Sequence, residues 1–239
     1  MMLTFKLLGL LLSYPSEDLQ HNMDELKTAI EGEGLIPAKI RKPLFAFMDS
    51  YANRNLMRLQ EDYVALFDRG RAHSLYLFEH IHGESRDRGQ AMVNLSDHYI
   101  QHGVTLSAKE LPDYLPVFLE FLSEIDIAEA QTLLGEVVHI IAGVGAKLRA
   151  KKVDYHQVFR ALEVLTSVKV GEKLRAQAVR EAAEEDTSHS ALDKEWEDAP
   201  AFDGVGQIAC HTCPSTIQKP KHSATNEAAP SPMHINPNL

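Results

Sequence analysis

The densest concentration of chemically capable side chains lies between Asp68 and Met92, where Arg69, Arg71, Arg86 and Arg88 share one stretch with His73, His80, His82, Tyr76 and Phe78. Arginines in this number suit two jobs: pairing with Asp68, Glu79, Glu84 and Asp87 in a segment that links helices, or recognising an anion or another chain. The histidines raise a third. His80 and His82, with His98 and His102 four apart, are acceptable ligand types for zinc or iron, so a metal-binding helical enzyme built on these four is the competing functional reading. Against it, no HExxH or paired ExxH pattern is present, and the alternate spacing of His80 and His82 sends them to different sides of a helix. No metal is assigned.

Other motifs weaken in their context. Cys210-His211-Thr212-Cys213 is a CxxC, but it sits in a proline-rich stretch without the strand–helix setting that lowers a redox thiol's pKa, and without two further zinc ligands. Gly143-Val144-Gly145 lies inside a helical pattern and reads as close packing between helices rather than a dinucleotide loop. There is no GxSxG, no phosphate loop, and no cysteine before residue 210. Nothing here establishes catalysis, and the residues alone describe a helical binding protein.

The chain has 239 residues and a net charge of −10, which argues against nucleic-acid binding because phosphate contacts need a basic face. The charge is unevenly spread. From Glu181 to Leu239 ten acidic residues stand against three basic ones, with six of the 11 prolines and both cysteines. The division expected is a helical body over 1–180 and an acidic, Pro-rich tail over 181–239, largely disordered. A body free of cysteine suits a reducing, cytoplasmic setting. The leucine-rich start, Leu7 to Leu12, is too short to span a bilayer and meets Tyr14-Pro15-Ser16 where a cleavage site would stand, so it reads as a buried first helix; no transmembrane helix is expected.

Helical periodicity must therefore position the candidate residues. The fold expected is all-α, a single-domain bundle of about eight to nine helices. Ser16 is the cap of a second helix that runs to Glu31-Gly32-Glu33-Gly34, and Pro37 opens a third that Pro43 should shorten or kink. Leu56, Leu59, Tyr63, Leu66 and Phe67 mark one face of a helix closed by Gly70; another runs from about Ser85 to Gly103, and a third begins between Pro112 and Pro116. Ile127 to Leu148 is the long central helix, Asp154 is placed to cap the next, and Glu172 to about Glu185 is helix-prone but charged.

The runs Glu61 to Arg71, Ser74 to Met92 and Glu110 to Leu122, with the leucine-rich opening helix and the late Asp193-Lys194-Glu195-Trp196-Glu197, closely resemble the respiratory nitrate reductase assembly chaperones, the delta-subunit family. The likeness spans residues 3 to about 203. It implies an all-α chaperone, not an enzyme, with no cofactor of its own. Its partner would be the N-terminal region of the apo catalytic (alpha) subunit of nitrate reductase, held in the cytoplasm while the molybdenum cofactor and iron–sulfur centre are inserted. Cofactor-delivery proteins are possible further partners; nucleic acid and direct membrane insertion are not expected. A basic, amphipathic client segment would need an apolar groove, for which Tyr63, Phe67, Tyr76, Phe78, Tyr114 and Phe118 are candidates, and carboxylates, for which Asp68, Glu79, Asp113 and Glu120 are candidates. Arg69, Arg71, Arg86 and Arg88 would orient those carboxylates or touch acidic parts of the client.

Overall fold

The computed structural model describes residues 2–83, 85–107 and 110–184. The CxxC, the motif around Trp196 and nearly all of the acidic tail lie outside these residues. Eleven α-helices occur among them: α1 (Leu3–Leu11), α2 (Glu17–His21), α3 (Met23–Glu33), α4 (Ala38–Ala52), α5 (Leu56–Tyr63), α6 (Leu77–His82), α7 (Asp87–Gln101), α8 (Leu115–Glu124), α9 (Ile127–Ala150), α10 (His156–Glu163) and α11 (Glu172–Glu184). Nine have eight residues or more, as an all-α bundle of that size requires, and no strand is present among the described residues. A π-helical turn at Val64–Asp68 follows α5, and a short 3₁₀ turn at Arg71–His73 leads toward α6.

The core is built around α9, which packs against α8, α10 and α11, while α1 lies across α8 and against α3, and α4 closes over α10. By length and composition α9 could cross a membrane. Its apolar stripe, including Leu134, Ile141, Val144 and Leu148, is instead buried against its neighbours, and burying each such side chain is worth about 1.5–3 kcal/mol. At Gly9 the α1–α8 approach is so close that a β-carbon would stand 3.1 Å from the Pro116 carbonyl oxygen and 3.3 Å from the Leu119 Cβ.

The first helix has no cap of its own, because Met2 offers no acceptor. Glu33, at the far end of α3, supplies it. Its carboxylate accepts the Leu3 N–H at 2.6 Å, the Thr4 N–H at 2.7 Å and the Thr4 hydroxyl at 2.6 Å. Burial raises the Glu33 pKa, but the hydrogen bonds from Thr4 and Leu3 outweigh it and leave the carboxyl below its ordinary value. Glu33→Ala is expected to lower unfolding free energy by about 1–2 kcal/mol in urea titrations, as loss of a charged cap does. Because the folded pKa is depressed, the difference between Glu33→Gln and the parent should be fully present above the unfolded carboxyl pKa of about 4.3 and vanish as pH falls through the folded one.

Local signals place several helix ends. Ser16 caps α2, its Oγ accepting the Leu19 N–H at 3.2 Å, and Gly103 takes a left-handed conformation, φ 79°, just beyond α7. Pro116 occupies the second position of α8. Three expectations need correction. The expected second helix is broken at Asn22 into α2 and α3. Pro43 does not shorten its helix, since α4 runs 15 residues through it; the lost bond frees only the carbonyl of Lys39, whose side of the helix faces solvent. Asp154 does not cap α10 with its side chain: Tyr155 holds the cap position, and the turn is closed by Asp154 through its carbonyl, which accepts the Gln157 N–H at 3.0 Å. The helix-prone stretch from Glu172 forms α11, which runs to Glu184.

Candidate functional site

The start of α6 is anchored from residues 112–115. Tyr76 and Tyr114 form an isolated antiparallel bridge, with Leu115 N–H donating to the Leu75 carbonyl at 2.8 Å and Leu77 N–H to the Asp113 carbonyl at 2.9 Å. Like α1, α6 has no local cap. The Asp113 carboxylate provides one, accepting the Phe78 N–H at 3.2 Å, with Arg88 3.8 Å away and Glu79 completing the group 3.3 Å from Arg88. Burial drives the Asp113 pKa up, against the opposing pull of the Phe78 N–H and the Arg88 charge.

This geometry redistributes the candidate residues. Asp113 is fully buried, so it supports α6 and is no surface contact for a client arginine. Tyr63, Phe67 and Phe118 are 3%, 5% and 4% exposed, so they belong to the core rather than to a groove wall. Glu120 is exposed and paired with Lys6 at 2.8 Å, between α8 and α1. What remains accessible is a group of half-buried side chains, Tyr76, Phe78, Glu79 and Tyr114, beside the exposed Asp68. Asp68 makes no hydrogen bond or ion pair among the described residues; burial raises the pKa of Tyr63, Tyr76 and Tyr114, and the Asp68 charge adds to that shift. Arg69 and Arg86 are exposed and without an acidic partner among the described residues, Arg71 is exposed, and Arg88 is the arginine that orients carboxylates.

The four histidines of the competing reading do not converge. His80 bonds the Ser74 carbonyl through Nε2 at 2.9 Å and His82 packs on Phe78, whereas His98 and His102 lie together on α7.

A cavity of about 410 Å³ opens between α4, the α5–π-turn segment and the 152–155 turn. Phe47, Tyr51, Leu59, Leu66, Val153 and Tyr155 make its lining mainly apolar, and Arg54, Asp62, Lys152 and Asp154 stand at its edge. Arg54 is paired with Asp62, whereas Asp154 makes no ion pair among the described residues. Tyr51 and Tyr155 are buried with hydroxyls lacking a well-formed hydrogen bond, and burial pushes Tyr51 up to about 12. A chain of ring contacts joins this cavity to the α6 anchor. It runs from Phe47 to Tyr155 (5.1 Å), Tyr155 to Phe67 (5.2 Å) and Phe67 to Tyr63 (5.0 Å), whose hydroxyl meets that of Tyr114 at 3.0 Å; Tyr114 stacks on Tyr76 at 5.3 Å. Sequence reasoning missed the cavity residues, although Phe47 and Tyr51 stand four apart on one helix face, the spacing at which two rings share a wall.

A second groove, about 850 Å³, lies between α9, α10 and α11. It is basic. Arg149, Arg160 and Arg180 face it without acidic partners among the described residues, and only Arg175 is neutralised, by Glu163. Such a surface repels a basic peptide, whereas the first cavity does not.

Residues 16–161 match the family described as the nitrate reductase delta subunit. This chain belongs to that family. The nitrate reductase molybdenum cofactor assembly chaperone NarJ of Escherichia coli K12 is 38% identical over 197 residues, covering 82% of this chain and 83% of that protein. The probable assembly chaperone NarW of the same organism is 36% identical over 214 residues, 87% of each chain, and the probable NarJ of Bacillus subtilis 168 is 31% identical over 160 residues, 67% of this chain and 86% of its own. These delta-subunit relatives are named for assembly, not catalysis. The family match contains every residue lining the first cavity and the whole α6 anchor, and it stops before α11, one wall of the basic groove.

Proposed function

We propose that this chain is a cytoplasmic assembly chaperone that binds the N-terminal region of the apo catalytic subunit of nitrate reductase, and that the bound segment seats its apolar face in the cavity between α4, α5 and the 152–155 turn. The chaperone would hold the client while the molybdenum cofactor and iron–sulfur centre are inserted, before membrane attachment. Family membership supports the assembly role. The observation that supports the place is a mainly apolar cavity with Asp154, unpaired among the described residues, at its edge and Asp68 just beyond the Ala65 and Leu66 that line it. An amphipathic basic segment needs that combination: burial for its apolar side and carboxylates for its cations. The aromatic chain through Phe67 and Tyr63 couples the cavity to Tyr76, Phe78, Glu79 and Tyr114, which would carry the rest of the contact.

Calorimetric titration with a synthetic peptide of the client's N-terminus tests this. Ala65 is exposed and lines the cavity, so Ala65→Trp fills it without disturbing the core. Saturable binding by the parent, weakened at least tenfold in Ala65→Trp with unchanged ellipticity, is the expected result; an unaltered affinity in that variant would move the site elsewhere. No saturable binding at all would remove the peptide-binding role.

A further inference from the structure

Helix α7 is attached lightly for its length. Of its 15 residues only Tyr99 is buried, held by a hydrogen bond to the Pro112 carbonyl at 2.7 Å and by stacking on Phe121. His98 immediately precedes Tyr99, and His102, at the C-terminal end of the same helix, follows at i+4 from His98, with ring centroids 4.7 Å apart. Glu129, in the first turn of α9, brings a carboxylate to them. One donor atom from each of the three lies within 4.8 Å of the others, against the ring of Phe121, which is 5.7 Å from His98 and 5.5 Å from His102.

The hydrogen bonding around these rings is incomplete in a specific way. His102 Nδ1 is 3.0 Å from the His98 carbonyl oxygen, which can only accept, so Nδ1 carries a proton. In the neutral ring Nε2 is then a bare lone pair, and it faces Glu129 Oε1 at 3.0 Å, a second acceptor. Two acceptors at that distance require a cation: a second proton on the ring, or a metal ion between them. A backbone carbonyl on one ring nitrogen with the other turned to the metal is the usual outer-shell arrangement of a ligating histidine. His98 Nε2, meanwhile, is buried without a hydrogen-bond partner among the described residues.

We propose that His98, His102 and Glu129 bind a zinc-class divalent cation that ties α7 to the start of α9. Two imidazole nitrogens and one carboxylate oxygen form a borderline donor set that suits zinc better than magnesium, which prefers oxygen ligands. At zinc distances of about 2.0–2.1 Å two ligands stand about 3.3 Å apart, so closing the site needs a shift of roughly 1.5 Å at most, within reach of small side-chain rotations. His102 is exposed, leaving the fourth position to water. The site is independent of the client cavity, and its third ligand comes from another helix, which is why histidine spacing alone did not reveal it.

The test uses the tag-free, full-length chain carrying Cys210→Ser and Cys213→Ser, so that the thiols take no metal, titrated with zinc chloride at pH 7.5 in the presence of excess magnesium. One equivalent of Zn²⁺ is expected, weakened at least tenfold by His102→Ala, by Glu129→Gln and by the shape-conserving His98→Gln, each with unchanged ellipticity. Hydrogen exchange should show Zn²⁺ slowing exchange across α7 in the parent and not in His102→Ala. No saturable zinc binding, or binding that these variants retain, overturns the site; binding without added protection of α7 overturns the tie between helices.

Discussion

Gly145→Val is expected to lower the unfolding free energy by about 3 kcal/mol, while Gly143→Ala, two residues away on the same helix, raises it by about 0.5–1 kcal/mol. Both glycines lie inside α9, where glycine is intrinsically poorer than alanine by about 1 kcal/mol. They differ in what lies opposite. A β-carbon on Gly143 would meet the Ala178 Cβ at 3.5 Å, an ordinary contact, so the backbone gain is kept. On Gly145 it would stand 2.9 Å from the Phe159 Cβ, an atom fixed to the α10 backbone that cannot rotate away. Valine adds two methyl groups to that collision, and α10 must move off α9, loosening Phe159 and Leu162 in the core. Urea titration of both variants checks the pair. For a body of this size the valine change corresponds to a fall in Tm of roughly 6–12 °C. An equal response at the two positions would show that helix propensity, not packing, decides.

The second large effect concerns Asp113. Asp113→Ala should destabilise by about 2–4 kcal/mol, because it strips the Phe78 N–H of its acceptor and leaves Arg88 with Glu79 alone in a half-buried place. Asp113→Asn should lose much less, since the amide oxygen still accepts from Phe78. The pH dependence has a definite sign. Burial holds the folded pKa above the unfolded value, so the folded state takes up a proton more readily. The carboxyl's contribution relative to asparagine is therefore greatest below about pH 3.9 and declines as pH rises through the folded pKa. Measuring parent minus Asn stability from pH 3.5 to 7 checks this; a difference that grew with pH would mean that Arg88 dominates over burial. The Glu33 cap of α1 has the opposite sign, so the two carboxyls can be separated by pH alone.

Those carboxyls mark the limit of what the chain discloses on reading. Ser16, Gly103 and Pro116 act within a turn of themselves, and their helix ends were legible for that reason. Glu33 caps a helix that begins 30 residues earlier, and Asp113 caps one that begins 36 residues earlier; no local pattern announces either. The same reason explains the fate of the candidate site. Tyr63, Phe67 and Phe118 carry the right chemistry for a groove, but the packing of distant elements turned them inward, while Phe47, Tyr51 and Tyr155 came together from α4 and the 152–155 turn to line the cavity. Pro43 did not shorten its helix because its penalty depends on whether water can reach the freed carbonyl, and burial is a tertiary property.

The α1–α8 contact governs how the molecule can be made. Phe5, Leu8, Leu11 and Leu12 are fully buried, much of that burial coming from a helix that ends at Glu124. A ribosome adding about 5–20 residues per second takes roughly 5–20 s to travel from one to the other. For an interval of about that length, from its own emergence from the tunnel until α8 emerges, the leucine-rich segment has its apolar side uncovered, and the contact that finally closes it spans more than a hundred residues, a separation that slows folding. A member of an assembly-chaperone family thus passes through a stage in which its own first helix is what needs shelter. Ribosome-bound chains arrested before α8 should be cleaved readily within residues 3–12 by protease, and chains arrested after α8 has emerged should resist.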